Sequence, residues 1–349
     1  MANVDLKNYI CTIPFQELEI HRHAYFFCCA SWLKKVVKTE DYEVKDVWNS
    51  DVANDIRNSI LDGSYKYCDK EQCPNLSRLL NIGEPPNPGP ILPVGKFNTK
   101  NKKYPILVNY NVDRTCNFKC PSCRTEMIVS NSIEKDAIKK MLDDIDDAFA
   151  EHMKIMYISG AGDPFASPSY RDYLRNFDPN KFKNLRSIFI HSNASLWDKK
   201  MWDTMPNIHN YVKACEISID AGTKETYENI TRLNGKWEVL IDNLKFISTL
   251  KGIHTIRVSF VVQKANYKEM NIFVDLIQSI FGNRAEIFFG KINNWATYTE
   301  EEFKDVKIWD AEHPEHLQFI DEFNKVCYRY GVSTNMYEFA VPIKNKRLI

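Results

Sequence analysis

Residues 133–149 set Ile133, Ala137, Met141, Leu142, Ile145 and Phe149 at spacings that share one face, which predicts an amphipathic helix. Asn131 followed by Glu134 supplies a capping box at its start. Shorter apolar runs recur on either side of it. Pro105–Val112, Ile155–Ser159, Ser187–His191, Ala214–Ile219, Thr255–Gln263 and Ala285–Ile292 read as strands, and Gly235–Leu250 and Asn266–Phe281 as further helices. Six strands alternating with helices predict a parallel sheet with right-handed crossovers. Active sites of such sheets gather at the carboxyl ends of the strands.

The pattern breaks at Ile82-Gly83-Glu84-Pro85-Pro86-Asn87-Pro88-Gly89-Pro90, too rich in proline and glycine to continue a helix or a central strand. This places a linker at 81–103 and a boundary near residue 90. The 349 residues carry 46 basic and 46 acidic side chains, so no excess positive field exists to attract phosphates, and nucleic acid is not the expected partner. No run approaches the roughly 18 apolar residues of a spanning helix, so no membrane partner is expected. Met1 to Asn8 lacks the apolar core of a signal peptide. A cytoplasmic location follows as an expectation, and there ten cysteines point to metal ligation before disulfides.

Three of those cysteines, Cys116, Cys120 and Cys123, lie within eight residues, with seven residues between them and the apolar run Ile106-Leu107-Val108. A closed structural zinc site needs four ligands, usually as two separated pairs. A cubane iron–sulfur cluster takes one thiolate per iron, so three cysteines leave one iron for something other than protein.

Together with the segments at the later strand ends, this loop resembles the radical S-adenosylmethionine (radical SAM) superfamily over residues 104–295. Ser159-Gly160-Ala161-Gly162-Asp163-Pro164 resembles the glycine-rich segment that holds the methionine amino group, with Ala161 and Asp163 replacing the usual Gly and Glu. His191-Ser192-Asn193-Ala194 and Ser218-Ile219-Asp220-Ala221 resemble the segments after the third and fourth strands, and Thr226-Tyr227 through Arg232 and Trp237 the helix that follows. The resemblance implies a partial (β/α)6 parallel barrel at 104–300 and a [4Fe–4S] cluster on Cys116, Cys120 and Cys123 with an open iron site. It further implies S-adenosylmethionine held by Gly160, Ala161, Gly162, Asp163, Ser192, Asn193, Ser218 and Asp220. Reductive cleavage would give a 5′-deoxyadenosyl radical that abstracts hydrogen, with a flavodoxin- or ferredoxin-type electron donor. By strand parity Arg257 and Gln263 join this cofactor-binding set. One departure is Ser122, where the family commonly has an aromatic residue.

Residues 1–80 carry a second resemblance. Cys11, the pair Cys28-Cys29 followed by Trp32, Trp48-Asn49-Ser50, Arg57, Gly63 and Cys68-x4-Cys73-Pro74 resemble a SPASM or twitch module, here preceding the barrel instead of following it. That resemblance implies a second, auxiliary [4Fe–4S] cluster on Cys11, one of Cys28 and Cys29, Cys68 and Cys73. Adjacent cysteines on an extended strand face opposite ways, and the family's spacing favours Cys28. A zinc site with the same thiolates is the alternative.

Cys215 and Lys291 are the candidate catalytic groups. Cys215 lies on the strand face opposite Ser218 and Asp220, as a core residue would. Residues 301–349 are expected to form a helical extension covering the barrel. The implied substrate is a small polar, sugar-type molecule or a peptide, undergoing oxidation, epimerisation or cross-linking; a non-catalytic zinc or electron-transfer protein is the competing class.

Overall fold

The computed structural model describes residues 4–85, 89–100 and 103–340. The part of the linker at 86–88 and 101–102, and the last nine residues of the C-terminal extension, lie outside the described residues. The chain divides into two compact units, one of Met1–Arg114, Ser130–Gly162 and Asp172–Phe189, the other of Thr115–Val129, Asp163–Arg171 and Ile190–Ile349.

The first unit holds β1 (Tyr9–Cys11), β2 (Glu17–His21), β3 (Ala24–Phe26), β4 (Val37–Lys38), β5 (Ile91–Pro93), β6 (Leu107–Asn111) and β7 (Ile155–Ile158), with β8 (Ser187–Ser192) running from it into the second. β2 pairs in parallel with β6, and β6 with β7, while β3 and β4 continue the sheet antiparallel. β2 and β6, on either side of the boundary expected near residue 90, therefore belong to one sheet. The linker itself contributes β5, whose Ile91 pairs antiparallel with Cys11; a two-stranded edge tolerates Pro93.

The helix expected at 133–149 spans Ser132–Phe149. Its capping box is complete: the Asn131 side chain accepts from the Glu134 amide at 3.0 Å, and Glu134 Oε2 accepts from the Asn131 amide at 2.9 Å. Ile138, Leu142, Ile145 and Phe149 are its buried stripe, whereas Ile133 is exposed.

The second unit holds β9 (Val212–Ser218), β10 (Thr255–Val262), β11 (Ala285–Lys291) and β12 (Val332–Thr334), all parallel in that order. Trp237–Thr249 and Met270–Phe281 are helices, close to the spans expected. The C-terminal extension is not helical throughout: besides His316–Val326 it adds β12 beside β11. β4 pairs on one side only in the first unit, with β3, and β12 on one side only in the second, with β11. In the first unit Leu18 and Ile20 are buried on one face of β2, with Glu19 between them turned the other way; in the second, Ile217 is buried between Glu216 and Ser218 and Ile256 between Thr255 and Arg257.

Candidate functional site

The loop after β6 is assembled within the second unit. The Cys116 amide donates to Ile128 O at 3.0 Å, Asp163 N to Thr115 O at 2.9 Å, and Lys119 N to Leu233 O at 3.2 Å. The amides of Cys123 and Arg124 both donate to Cys120 O, at 2.9 and 3.0 Å, forming a single tight turn. Cys116 and Cys120 are buried and Cys123 is exposed, so the loop opens outward at its last thiol.

Each of the three sulfurs has its own N–H donor. Asn193 Nδ2 donates to Cys116 Sγ at 3.8 Å, Arg232 to Cys120 Sγ at 3.4 Å and Arg124 to Cys123 Sγ at 3.4 Å. Burial pushes the Cys116 thiol up to about 11, with Asp163 adding to it and Arg124 opposing. Burial also raises Cys120, against the pull of the Arg232 charge. Arg124 and Arg232 are both buried, at 7% and 9% exposure. Sequence reasoning left Arg124 out and noted Arg232 only as part of a helix match. The available signal was two cations adjoining the loop in sequence or in the matched helix.

Arg232 enters the site through a widened helical turn, Tyr227–Thr231, closed by Arg232 N donating to Tyr227 O at 2.9 Å. Its guanidinium pairs with Asp220 Oδ2 at 2.6 Å and donates to Ile219 O at 3.2 Å. Burial opposes the Arg232 charge, but Asp220 and Cys120 together hold it protonated more firmly than usual. Asp220 accepts a second bond from Val261 N at 2.8 Å, and burial raises its carboxyl. Glu269 pins the loop beyond, accepting from Gly222 N at 2.8 Å and Thr223 N at 3.1 Å.

Asp163 is 1% exposed, and all its acceptor capacity is used by the chain. Oδ2 takes Ser192 Oγ and Asn193 N, both at 2.8 Å; Oδ1 takes Phe165 N at 3.0 Å and Ala166 N at 3.1 Å. Burial raises its carboxyl against these donors. Asp163 thus ties its own loop to the one after β8, where Asn193 bridges to Asn117 at 3.1 Å and Asn117 to Ser195 at 2.8 Å. Ser218 takes part elsewhere, hydrogen-bonded to His191 at 2.8 Å and Ser259 at 3.3 Å. In the first unit, Gly160 lies open and Gly162 half-open, with Ala161 half-buried between them. A side chain at Gly160 would come within 2.8 Å of Asn111 Oδ1, which explains the glycine. Ser159, Ala194 and Asp220, at three successive strand ends, all hold φ between 60° and 71°, a strained choice for residues with a Cβ.

The other candidates are engaged differently. Arg257 pairs with Glu286 at 3.0 Å and lies over the Phe288 ring at 5.2 Å. Gln263 is buried, its backbone N–H donating to Asn266 Oδ1 at 2.9 Å. Lys291 pairs with Glu338 and sits 5.2 Å from both the Trp309 and Phe339 rings. Cys215 is fully buried on the apolar face of β9, and burial pushes its thiol up to about 12.

In the first unit, Cys11, Cys68 and Cys73 pack into one small core with Leu6, Ile10, Phe15, Tyr65 and Leu76. Tyr65 fastens it, accepting from Cys11 N at 3.2 Å and donating to Tyr9 O at 2.9 Å. Burial pushes Cys11 and Cys68 up to about 12, with neighbouring thiols adding: Cys68 and Cys73 act on Cys11, and Cys73 on Cys68. Burial also raises Cys28, which then feels Cys11, Glu17 and Cys73, whereas Cys29 feels Glu19 and Glu17. Cys28, unlike Cys29, thus feels Cys11 and Cys73. Among the described residues, no three His, Cys, Asp or Glu side chains are drawn together as ligands of a single ion.

No family model matches the chain, and no curated protein matches it. Among solved structures, SuiB of Streptococcus suis bound to the precursor peptide SuiA is 12% identical over 94% of this chain and 71% of that one, with a TM-score of 0.43. SuiB bound to S-adenosylmethionine is 12% identical over 91% and 71%, at 0.42. TYW1 with a lysine–pyruvate adduct is 18% identical over 64% and 71%, at 0.37. Likenesses this distant establish neither fold nor function.

Proposed function

We propose that the chain is a radical SAM enzyme, with a [4Fe–4S] cluster on Cys116, Cys120 and Cys123 whose fourth iron is left to S-adenosylmethionine. The observation that carries this reading is the separate N–H donor at each of the three sulfurs, two of them buried guanidinium groups. Arg232 lies against the buried Cys120, whose thiol burial raises, and a guanidinium there favours the thiolate a cluster needs; hydrogen bonds to sulfur are a means of tuning such clusters. When bound, the cluster supplies the electron that splits a sulfonium carbon–sulfur bond. The chain's own part is placement. Asn193 and Arg232 fix Cys116 and Cys120, Asp163 locks the two loops that flank them, and Asp220 keeps Arg232 aimed at the sulfur.

Cys11, Cys28, Cys68 and Cys73 are the ligand set for a second, auxiliary cluster, supported by the influence of Cys73 on the other three thiols and of Cys11 on Cys28. Thiolates bound to four different irons stand further apart than ligands sharing one ion, which accords with a set that is close without being gathered to one point. The substrate is a small polar or peptide molecule, and a flavodoxin- or ferredoxin-type protein is the electron donor.

The test is anaerobic reconstitution with iron and sulfide analysis, followed by incubation with S-adenosylmethionine and dithionite. About eight irons per chain and release of 5′-deoxyadenosine are expected for two [4Fe–4S] clusters. Cys120→Ala should abolish the 5′-deoxyadenosine while keeping the iron of the N-terminal set. Zinc in place of iron, or no 5′-deoxyadenosine from the loaded protein, overturns the reading.

A further inference from the structure

Buried tyrosines normally keep their hydroxyls bonded, and four of this chain do so. Tyr25, Tyr65, Tyr110 and Tyr267 are each at most 1% exposed and donate to Tyr42 O, Tyr9 O, Asp146 and Glu315 respectively. Tyr227, in the second unit, is equally buried, yet its hydroxyl has no hydrogen-bond partner among the described residues. A polar group held away from water without a partner is costly, so this one calls for a reason.

Tyr227 opens the widened turn that Arg232 closes, a distortion of a helix that recurs at functional sites. Both ends of the turn meet the cysteine loop. Arg232 donates to Cys120 Sγ at 3.4 Å, and the Tyr227 ring packs edge-on against Phe118, between Cys116 and Cys120, with centroids 6.2 Å apart. Gly235 makes room for the hydroxyl-bearing end of the ring: an added Cβ would stand 2.5 Å from Cε1 and 3.1 Å from Cζ. Burial makes the phenol harder to ionise, Arg232 opposes this, and Cys120, Asp163 and Asp220 add to it. The oxygen therefore keeps its proton and lies within reach of those four groups.

The missing partner must accept a hydrogen bond. Asp163 is saturated by four donors, and both oxygens of Asp220 are engaged, one by Arg232 and one by Val261 N. What loading would add to this loop is a cluster whose sulfurs accept hydrogen bonds. We infer that Tyr227 is a cofactor contact, its hydroxyl donating a hydrogen bond to a sulfur of the cluster on Cys116, Cys120 and Cys123. This contact rests on the proposed cluster and not on the radical step. A donor to sulfur stabilises the extra electron of the reduced cluster, so the hydroxyl raises the potential at which the cluster is reduced.

Tyr227→Phe keeps the ring and removes only the donor. A redox titration of the full-length, loaded protein, followed by electron paramagnetic resonance, reads the signal that Cys120→Ala abolishes, which separates this cluster from the auxiliary one. The variant is expected to be about tenfold harder to reduce, equal to about 59 mV for one electron, with its iron content unchanged. In D2O the reduced wild-type cluster should couple to an exchangeable deuteron that the variant lacks. Before reconstitution, with the hydroxyl unpartnered, Tyr227→Phe should melt no lower than wild type. A wild-type potential in the loaded variant, identical deuteron couplings in both proteins, or an iron-free variant that melts well below wild type overturns the inference; the last would mean that the chain itself bonds the hydroxyl. Loop cysteines that take up no iron would sink the radical reading and this contact together. A shifted potential in a protein that forms no 5′-deoxyadenosine would sink the radical reading alone.

Discussion

Replacing Arg232 by methionine removes the cation from a pair that is almost wholly buried, with side-chain exposures of 11% for Arg232 and 4% for Asp220. Asp220 would lose its 2.6 Å partner, Ile219 O a donor at 3.2 Å and Cys120 Sγ a donor at 3.4 Å. Breaking one side of a buried pair costs about 3–5 kcal/mol, chiefly because the remaining charge is left without compensation. The second variant isolates that cause. Asp220→Asn in the Arg232→Met background keeps an acceptor for Val261 N but removes the charge, and should recover about 2 kcal/mol. Burial already raises the Asp220 carboxyl, so in the single variant it takes up a proton more readily still. A group whose folded pKa is raised stabilises most at low pH, and this contribution disappears as pH rises through that pKa. The deficit of Arg232→Met should therefore shrink between pH 7 and pH 5. Urea denaturation followed by tryptophan fluorescence measures all three quantities. A loss below about 1 kcal/mol, or a double variant no more stable than the single one, would refute the uncompensated-charge account.

Asp146 accepts from Tyr110 at 3.0 Å and Tyr173 at 2.8 Å, and burial raises its carboxyl to about 6. Its stabilising contribution is full below the ordinary carboxyl pKa and lost as pH rises through about 6. Asp146→Asn should flatten that dependence and gain up to about 3 kcal/mol at pH 8, checked by denaturation at pH 4 and pH 8. Cys28→Ala should lose the iron of the N-terminal set while Cys29→Ala keeps it, measured by iron analysis; equal loss in both would contradict the choice of Cys28. Gly63 has φ 77°, and an added Cβ would stand 2.9 Å from the Lys7 backbone. Gly63→Ala should cost at least about 2 kcal/mol from left-handed strain and the backbone clash, and an unchanged melting temperature would contradict that.

The strands β6 to β11 and the helices Ser132–Phe149, Trp237–Thr249 and Met270–Phe281 were legible because their signals are local; β12 was not expected. Periodicity marks Ser132–Phe149 and its cap, and short apolar runs mark β6 to β11, each within two residues of the expected bounds. The N-terminal strands β2 to β4 were not expected. They are short, and β2 alternates between apolar and acidic residues whose partner, β6, lies ninety positions away. A ladder closed over that distance leaves no trace in a local window.

The same division runs through the site. The sequence by itself determined which chemistry is present, because three cysteines within eight residues after a strand can be read from spacing alone. It also determined the glycine at 160, since residue type is part of the motif. Tertiary structure decided what each group faces. Asp163, expected to meet a ligand, is saturated by Ser192 and by the amides of Asn193, Phe165 and Ala166. Arg124 and Arg232 reach the sulfurs, and Asn111 gives its side-chain amide to Glu19. Residue type fixes what a side chain can donate or accept; only the packing of distant segments fixes which of those capacities the chain has already used.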